Sequence, residues 1–136
     1  MKKVLIDTNI WSAFLRRNNS KEDILRKNFF ELVDSSCAVL IGPIRQEILS
    51  GIRDEEKFEK LRDYLSGFND EEIKTTDYED AARIKNKCAA KGIASTAIDL
   101  IIVAFAKNRN YSIYTRDKDF WHYRTVCPLE IYQEKE

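Results

Sequence analysis

The apolar positions open with Val4-Leu5-Ile6, a short and mostly branched run that suits a strand buried on both faces. Asp7 stops the run. Thr8 or Asn9 then caps a helix over Ile10–Leu15, with Trp11, Phe14 and Leu15 at i, i+3 and i+4. Arg16–Asn19 is a polar break. Ser20 with Asp23 three residues on reads as a capping signature, opening a helix that buries Ile24, Leu25, Phe29, Leu32 and Val33. Cys37–Ile41 is the second strand. Pro43, after Gly42, is placed as the first residue of a helix reaching about Ile52, with Ile44, Ile48 and Ile52 on one stripe. Asp54 or an adjacent acid starts the next helix, whose buried positions are Phe58, Leu61, Tyr64, Leu65 and Phe68. Ile73–Thr76 reads as a short third strand. Asp77 caps a long helix carrying Ala81, Ile84 and Cys88 and ending near Gly92. Ser95-Thr96 opens the most apolar helix of the chain, Ala97 to about Asn108. Tyr111–Thr115 is the fourth strand, and Leu129–Tyr132 a last edge strand. Alternating strand and helix predict an α/β fold. The expectation is a Rossmann-like three-layer α/β/α arrangement with a short, mostly parallel central sheet.

Composition adds a few bounds. The 136 residues make one ordinary domain, residues 1–136, and 43% hydrophobic residues suffice for a core. Lys and Arg number 23 and so do Asp and Glu, so net charge gives no argument for an anionic partner. Such a partner must be drawn by a local basic patch or a bound cation. Cys37, Cys88 and Cys127 form an odd, scattered set without a CxxC pair, which suits a reducing compartment. The apolar stretch after Lys2-Lys3 is too short for a signal peptide, and no run is long enough to cross a membrane. The expectation is a soluble cytoplasmic protein.

The chemistry lies in the acids. Asp7 ends a core strand, where open α/β sheets bind ligands, although an Asp there also serves as a plain helix cap. Glu47 lies one before Ile48 and so shares or borders a buried stripe; the alternative is a carboxylate at the stripe's edge, in water. Asp99 is the one charge in Ala97–Ala106, a run otherwise apolar all round, and a carboxylate there must be paired, metal-bound or protonated. A capping box with Thr96 accounts for it too, and the two readings are compatible. Asp117 and Asp119 follow the fourth strand. Asp117 is the better site candidate, and Asp119 stands behind it or at a second metal. His122 is the only His and lacks partners for a zinc site or a triad. No GxGxxG or P-loop is present.

Three or four carboxylates at one point repel each other, and a hard divalent cation removes the conflict. Mg²⁺ or Mn²⁺ on such ligands suits phosphodiester hydrolysis. Ile6-Asp7-Thr8-Asn9, Pro43-x-x-x-Glu47-Ile48, Thr96-x-x-Asp99-x-x-Ile102 and Thr115-x-Asp117-x-Asp119-Phe120, in this order, resemble a PIN-domain ribonuclease. The compact length resembles the VapC-type toxins of toxin–antitoxin pairs. The resemblance implies a Mg²⁺-dependent endoribonuclease with Asp7, Glu47, Asp99 and Asp117 as its acidic site. Thr115 would help to position water or metal. It also implies a homodimer and a small antitoxin protein that covers the site. PIN nucleases of RNA maturation and decay share the pattern. Arg16-Arg17, Arg45, Arg53, Arg116 and Lys118 fall near strand tips, where they meet RNA phosphates or simply solvent; Arg116 is the strongest, beside Asp117. Trp11 and Phe14 are core residues or base-stacking platforms.

Two other readings compete. A phosphatase of similar topology wants a second Asp two after the nucleophile, and position 9 is Asn. A receiver domain wants an acid pair and a late Lys that the sequence does not place. A non-catalytic PIN-like docking module is the other rival, against which the intact acid set speaks.

Overall fold

Four short strands form one parallel sheet in the order β2-β1-β3-β4. The structure is a computed structural model and describes residues 2–16 and 20–136. Arg17, Asn18 and Asn19, expected to break the chain or meet RNA, lie outside the described residues, as does the Ser20 side chain. The strands are β1 (Val4–Ile6), β2 (Ala38–Val39), β3 (Ser112–Tyr114) and β4 (Glu130–Ile131). The helices are α1 (Thr8–Leu15), α2 (Asp23–Asp34), α3 (Gly42–Leu49), α4 (Glu55–Leu65), α5 (Thr75–Ala90), α6 (Ala97–Arg109) and α7 (Asp119–Tyr123). Parallel neighbours need crossover connections, and helices covering both faces make this the three-layer α/β/α fold of the sequence reading. Every residue of β1 and β3 is buried; β1 is apolar throughout, and β3 carries Ser112 into the interior beside Ile113 and Tyr114.

The central pair fixes the geometry. Val4, Leu5 and Ile6 lie opposite Ser112, Ile113 and Tyr114. On one side α1 packs against α2 and α3; elsewhere α5 runs along α6. Trp11 is fully buried between the edges of Phe29 and Phe68, at 4.9 and 5.2 Å between centroids, and Phe14 stacks on Phe29. Both are core residues and neither is a surface for bases. α6 buries Ile102–Ala106 without interruption, as an all-apolar helix should.

Several expectations change. The third strand over Ile73–Thr76 is absent. Thr75 and Thr76 open α5 instead, because the Asp77 carboxylate takes the Lys74 N–H at 2.8 Å and the Asp77 N–H returns to Lys74 O at 2.9 Å. Asp77 therefore sits inside the first turn and is not the cap. Sheet-like pairing in this region is reduced to one bridge, Leu40 with Asp70. The cap of α1 is Asp7 itself, ahead of Thr8 and Asn9. α3 stops at Leu49, short of Ile52. On α4 only Leu65 is fully buried; Phe58 and Leu61 are half-buried and Tyr64 is 46% exposed, so its apolar face is only partly covered. Arg45 is engaged inside the fold. It bonds Asp70 Oδ1 (2.9 Å) and the carbonyls of Leu65 (2.9 Å) and Phe68, closing the end of α4 onto α3.

α5 and α6 are held by a buried ion pair. Asp77, 1% exposed, receives both arms of the Arg109 guanidinium at 3.0 and 2.9 Å, and Asn108 Nδ2 at 2.8 Å. Arg109 also donates to the carbonyls of Phe105 and Glu72. Burial alone raises the Asp77 pKa, but the Arg109, Lys74 and Asn108 bonds together bring it down to about 2. Arg109→Ala leaves this carboxylate buried and unpaired, so we expect a loss of roughly 3–5 kcal/mol, read by urea unfolding. The sign for pH follows. A lowered folded pKa stabilises above the unfolded value of 3.8 and is lost as pH falls toward about 2. Asp77→Asn should therefore lose most at neutral pH and converge with wild type in strong acid.

Candidate active site

The parallel register of β1 and β3 sets the residues after each strand side by side. The Asp7 N–H donates to Tyr114 O at 2.9 Å, and the next side chain on the neighbouring strand, Thr115, donates its hydroxyl to Asp7 Oδ2 at 2.7 Å. Asp7 is buried, at 6% exposure, and its Oδ1 accepts the Thr8 N–H at 2.8 Å. Thr115 Oγ1 also accepts from Asn9 Nδ2 (3.2 Å) and from the Asp117 N–H (3.0 Å). With one proton given and two received, that hydroxyl is saturated and its direction is fixed. Asn9 completes the knot, reaching Asp7 Oδ2 at 3.1 Å and accepting the Arg116 N–H at 3.0 Å.

α6 delivers Asp99 from its first turn. Thr96 Oγ1 caps the Asp99 N–H at 3.1 Å, while Asp99 Oδ2 accepts the Tyr123 hydroxyl at 2.7 Å. The cap thus coexists with a place beside the other acids, as the first-turn position allows. Oxygens of Asp99, Asp117 and Asp119 lie within 4.8 Å of one another. An Asx turn, Asp119 N–H to Asp117 Oδ1 at 2.9 Å, holds the last two together. Asp119, ranked behind the others by sequence, is thus inside the cluster. Glu47 is exposed on α3, and its Oε1 accepts the Thr8 hydroxyl at 2.8 Å. The stripe argument placed its head too far inward. Its charge still bears on Asp7, as does that of Asp99.

Electrostatics mark the site as unbalanced. Burial pushes the Asp7 carboxyl above its ordinary range, and Asp99 and Glu47 push the same way against the Thr115 and Thr8 bonds. Asp99 is raised by burial first, then by Asp117 and Asp119, against the Tyr123 and Thr96 bonds. Arg116 does not neutralise the cluster: its Nη1 bonds both oxygens of Glu22, at 3.1 and 2.8 Å. Arg16, Arg53 and Lys118 are exposed, as is His122. An all-oxygen donor set with excess negative charge fits a hard divalent cation such as Mg²⁺ or Mn²⁺.

Sequence reasoning passed over Asn9 and Tyr123 as organisers of the site. Asn9 stands in a quoted motif, where its sequence signal is that of a helix cap and of a position that is not Asp. Tyr123, nine residues beyond Tyr114, carries no local signal of its role.

The class of protein is an α/β domain of parallel-sheet type with acidic side chains gathered at the strand ends. The family model of the PIN domain matches residues 4–125, and the chain belongs to the PIN domain family. That family is one of nucleases, hydrolases acting on nucleic acids, whose acidic residues hold divalent ions. Comparison with curated proteins gives no match. Among solved structures the chain resembles FitAcB from Neisseria gonorrhoeae, at TM-score 0.74 and 19% identity, covering 96% of each chain. A DNA-bound VapBC from Salmonella typhimurium superposes with TM-score 0.74 at 18% identity, over 97% of this chain and 98% of that one. VapBC2 from Rickettsia felis, bound to a fragment of its promoter, gives 0.70 at 18%, over 96% and 98%. At such identities the likeness is one of fold. Among the described residues no helix is long and apolar enough to cross a membrane.

The raised carboxyls yield a pH test. A raised folded pKa stabilises below the unfolded value near 3.8, and this is lost as pH rises through the folded pKa. Metal-free wild type should therefore lose stability on that rise. Asp99→Asn keeps an acceptor for Tyr123 and removes the charge, so it should melt higher than wild type at neutral pH without metal. The difference should vanish near pH 3, as thermal melts at both pH values will show.

Proposed function

We propose that this protein is a Mg²⁺-dependent endoribonuclease, with Mn²⁺ able to substitute, and the toxin of a toxin–antitoxin pair. The observation that carries this is Asp7: a buried carboxylate with raised pKa, flanked by Asp99 and Glu47, with no cationic side chain bonded to it among the described residues. Asp99, Asp117 and Asp119, whose oxygens lie within 4.8 Å of one another, would hold the ion with Asp7 beside them and Glu47 at the margin. When bound, the ion supplies water activation and offsets charge at the reacting phosphate.

The chain's own residues prepare that chemistry. Thr115 and Asn9 fix the Asp7 carboxylate in one orientation, and the Tyr123 hydroxyl does the same for Asp99. Arg116 is anchored by Glu22 at the mouth, and exposed Lys118 lies one residue past Asp117, so both offer positive charge to an incoming phosphodiester. Glu47 stays open to solvent, where it tunes Asp7 from outside.

The toxin reading draws on the neighbours, which are described as VapBC assemblies and, for one from Klebsiella pneumoniae, as a toxin–antitoxin complex. By analogy the partner is a small antitoxin protein that directs a basic side chain toward Asp7 and Asp99. A cation there offsets the same repulsion as a metal does. A homodimer is the expected assembly. The apolar cleft between α5 and α6, bordered by exposed Tyr78 with Ala82 and Ile101, is compatible with one.

Asp7→Asn and Asp99→Asn should each depress RNA cleavage by more than the roughly 10–100-fold that loss of a group behind metal ligands costs. Wild-type turnover by either variant on a labelled RNA panel with Mg²⁺ excludes the assignment. Mg²⁺ should raise the wild-type melting temperature and raise that of Asp7→Asn far less. Glu47→Gln should show an intermediate Mg²⁺ shift; a shift equal to wild type removes Glu47 from the site.

A further inference from the structure

A second pocket, of about 330 Å³, adjoins the acids and is bounded by Thr115, Arg116, Trp121, Tyr132 and Glu134. It shares a residue with the site: Thr115, whose hydroxyl fixes Asp7, also lines this pocket. Trp121 lies on α7, two residues beyond Asp119. Its helix neighbours Phe120 and Tyr123 are fully buried, yet Trp121 is 41% exposed. The largest aromatic surface of that helix is thus spent on the pocket and not on the core.

The opposite wall is rigid although it is formed by the tail. Asn28, with no exposure, grips the backbone of Lys135 from both sides: it accepts the Lys135 N–H at 2.9 Å and donates to Lys135 O at 2.9 Å. Tyr132 donates its hydroxyl to the same Asn28 oxygen at 2.6 Å, and Tyr114 donates to the Glu134 carboxylate. Arg116 is held from outside by Glu22, with both bonds leaving Nη1. Walls fixed before a ligand arrives lower the ordering cost of binding.

The lining selects the occupant. An indole face and a phenol ring suit a flat ring, and ring stacking tolerates every base. The carboxylates of Glu134, which Tyr114 already holds, and Glu136 oppose a phosphate in the pocket but accept hydrogen bonds from a neutral base edge. Arg116, at the boundary with the acids, meets the phosphate on that side. We propose that this pocket takes an unpaired nucleobase of the RNA next to the cleaved bond, stacked on the Trp121 indole. This rests on the ribonuclease reading above.

The test compares wild type, Trp121→Ala and Trp121→Phe on an RNA of defined cut site, and on the same RNA made abasic at either nucleotide flanking the cut. Trp121→Ala should lower kcat/KM roughly tenfold or more, mainly through KM, while Trp121→Phe retains most of it. One abasic position should cost wild type a similar factor and Trp121→Ala nothing further. The Mg²⁺-induced melting shift of Trp121→Ala should equal that of wild type, showing fold and acids intact. Wild-type kinetics in Trp121→Ala overturn the subsite, as does an equal loss on intact and abasic RNA. A wild-type protein that cleaves no RNA with any divalent ion overturns the ribonuclease reading, and the subsite with it.

Discussion

Asp7 and Thr115 meet because β1 and β3 run parallel and in register, and the rest of the site depends on that contact. One backbone bond, Asp7 N–H to Tyr114 O, locks the pairing at the strand tips. One side-chain bond, Thr115 Oγ1 to Asp7 Oδ2, converts the register into a chemical position. A slip by one residue would turn the side chains of the slipped strand to opposite faces and separate the pair. Register is protected because β1 and β3 are buried on every residue, so slippage would also disturb the core. Core packing and site geometry are therefore one constraint.

The fold contains two buried aspartates treated in opposite ways. Asp77 receives a bidentate guanidinium, an amide and a backbone N–H, and its pKa falls to about 2. Asp7 receives a hydroxyl, an amide and a backbone N–H, but no cationic side chain, and its pKa rises. The nearest basic side chain along the chain from Thr115, Arg116, is bonded to Glu22 instead. Among the described residues the buried carboxylates of Asp77 and Glu22 each receive a guanidinium, and Asp7 does not. A buried charge left in that state is costly unless something external pairs with it. This difference between Asp77 and Asp7 separates a staple from a binding site more sharply than burial does.

What could be read from the sequence follows the same physics. Asp7 and Asp99 were legible because each breaks an apolar run, and an acid in such a run demands an explanation. Strand β1 is legible for the same reason. Ile73–Thr76 was misread since one apolar residue among polar ones has no periodicity, and the Asp77 cap, which decides the matter, acts through a backbone N–H three residues earlier. Arg45 and Arg116 looked free because their partners, Asp70 and Glu22, are 25 and 94 residues away. Asp119 was undervalued because its Asx turn with Asp117 is a complete local account of it, and its nearness to Asp99 is a tertiary fact. Glu47 was placed by a stripe of Ile44 and Ile48, but the edge of a stripe does not determine which way a long side chain turns.

Three helices begin at the acid cluster, which shows how far the fold alone can go in tolerating it. Asp7 is the cap of α1, Asp99 lies in the first turn of α6, and Asp119 is the first residue of α7. Each helix start presents a partial positive charge, worth about 0.3–1 kcal/mol to a nearby carboxylate and least for the short α7. Thr8 N–H and the hydroxyls of Thr115, Thr96 and Tyr123 add bonds that favour the ionised forms. These effects all have the same sign, yet burial and mutual repulsion still outweigh them at Asp7 and Asp99, whose pKa values stay raised. Backbone dipoles and neutral donors have been brought to bear from every element that reaches the site and leave a residual negative field. What the field lacks is full positive charge, which a small divalent ion or a partner's basic side chain would supply.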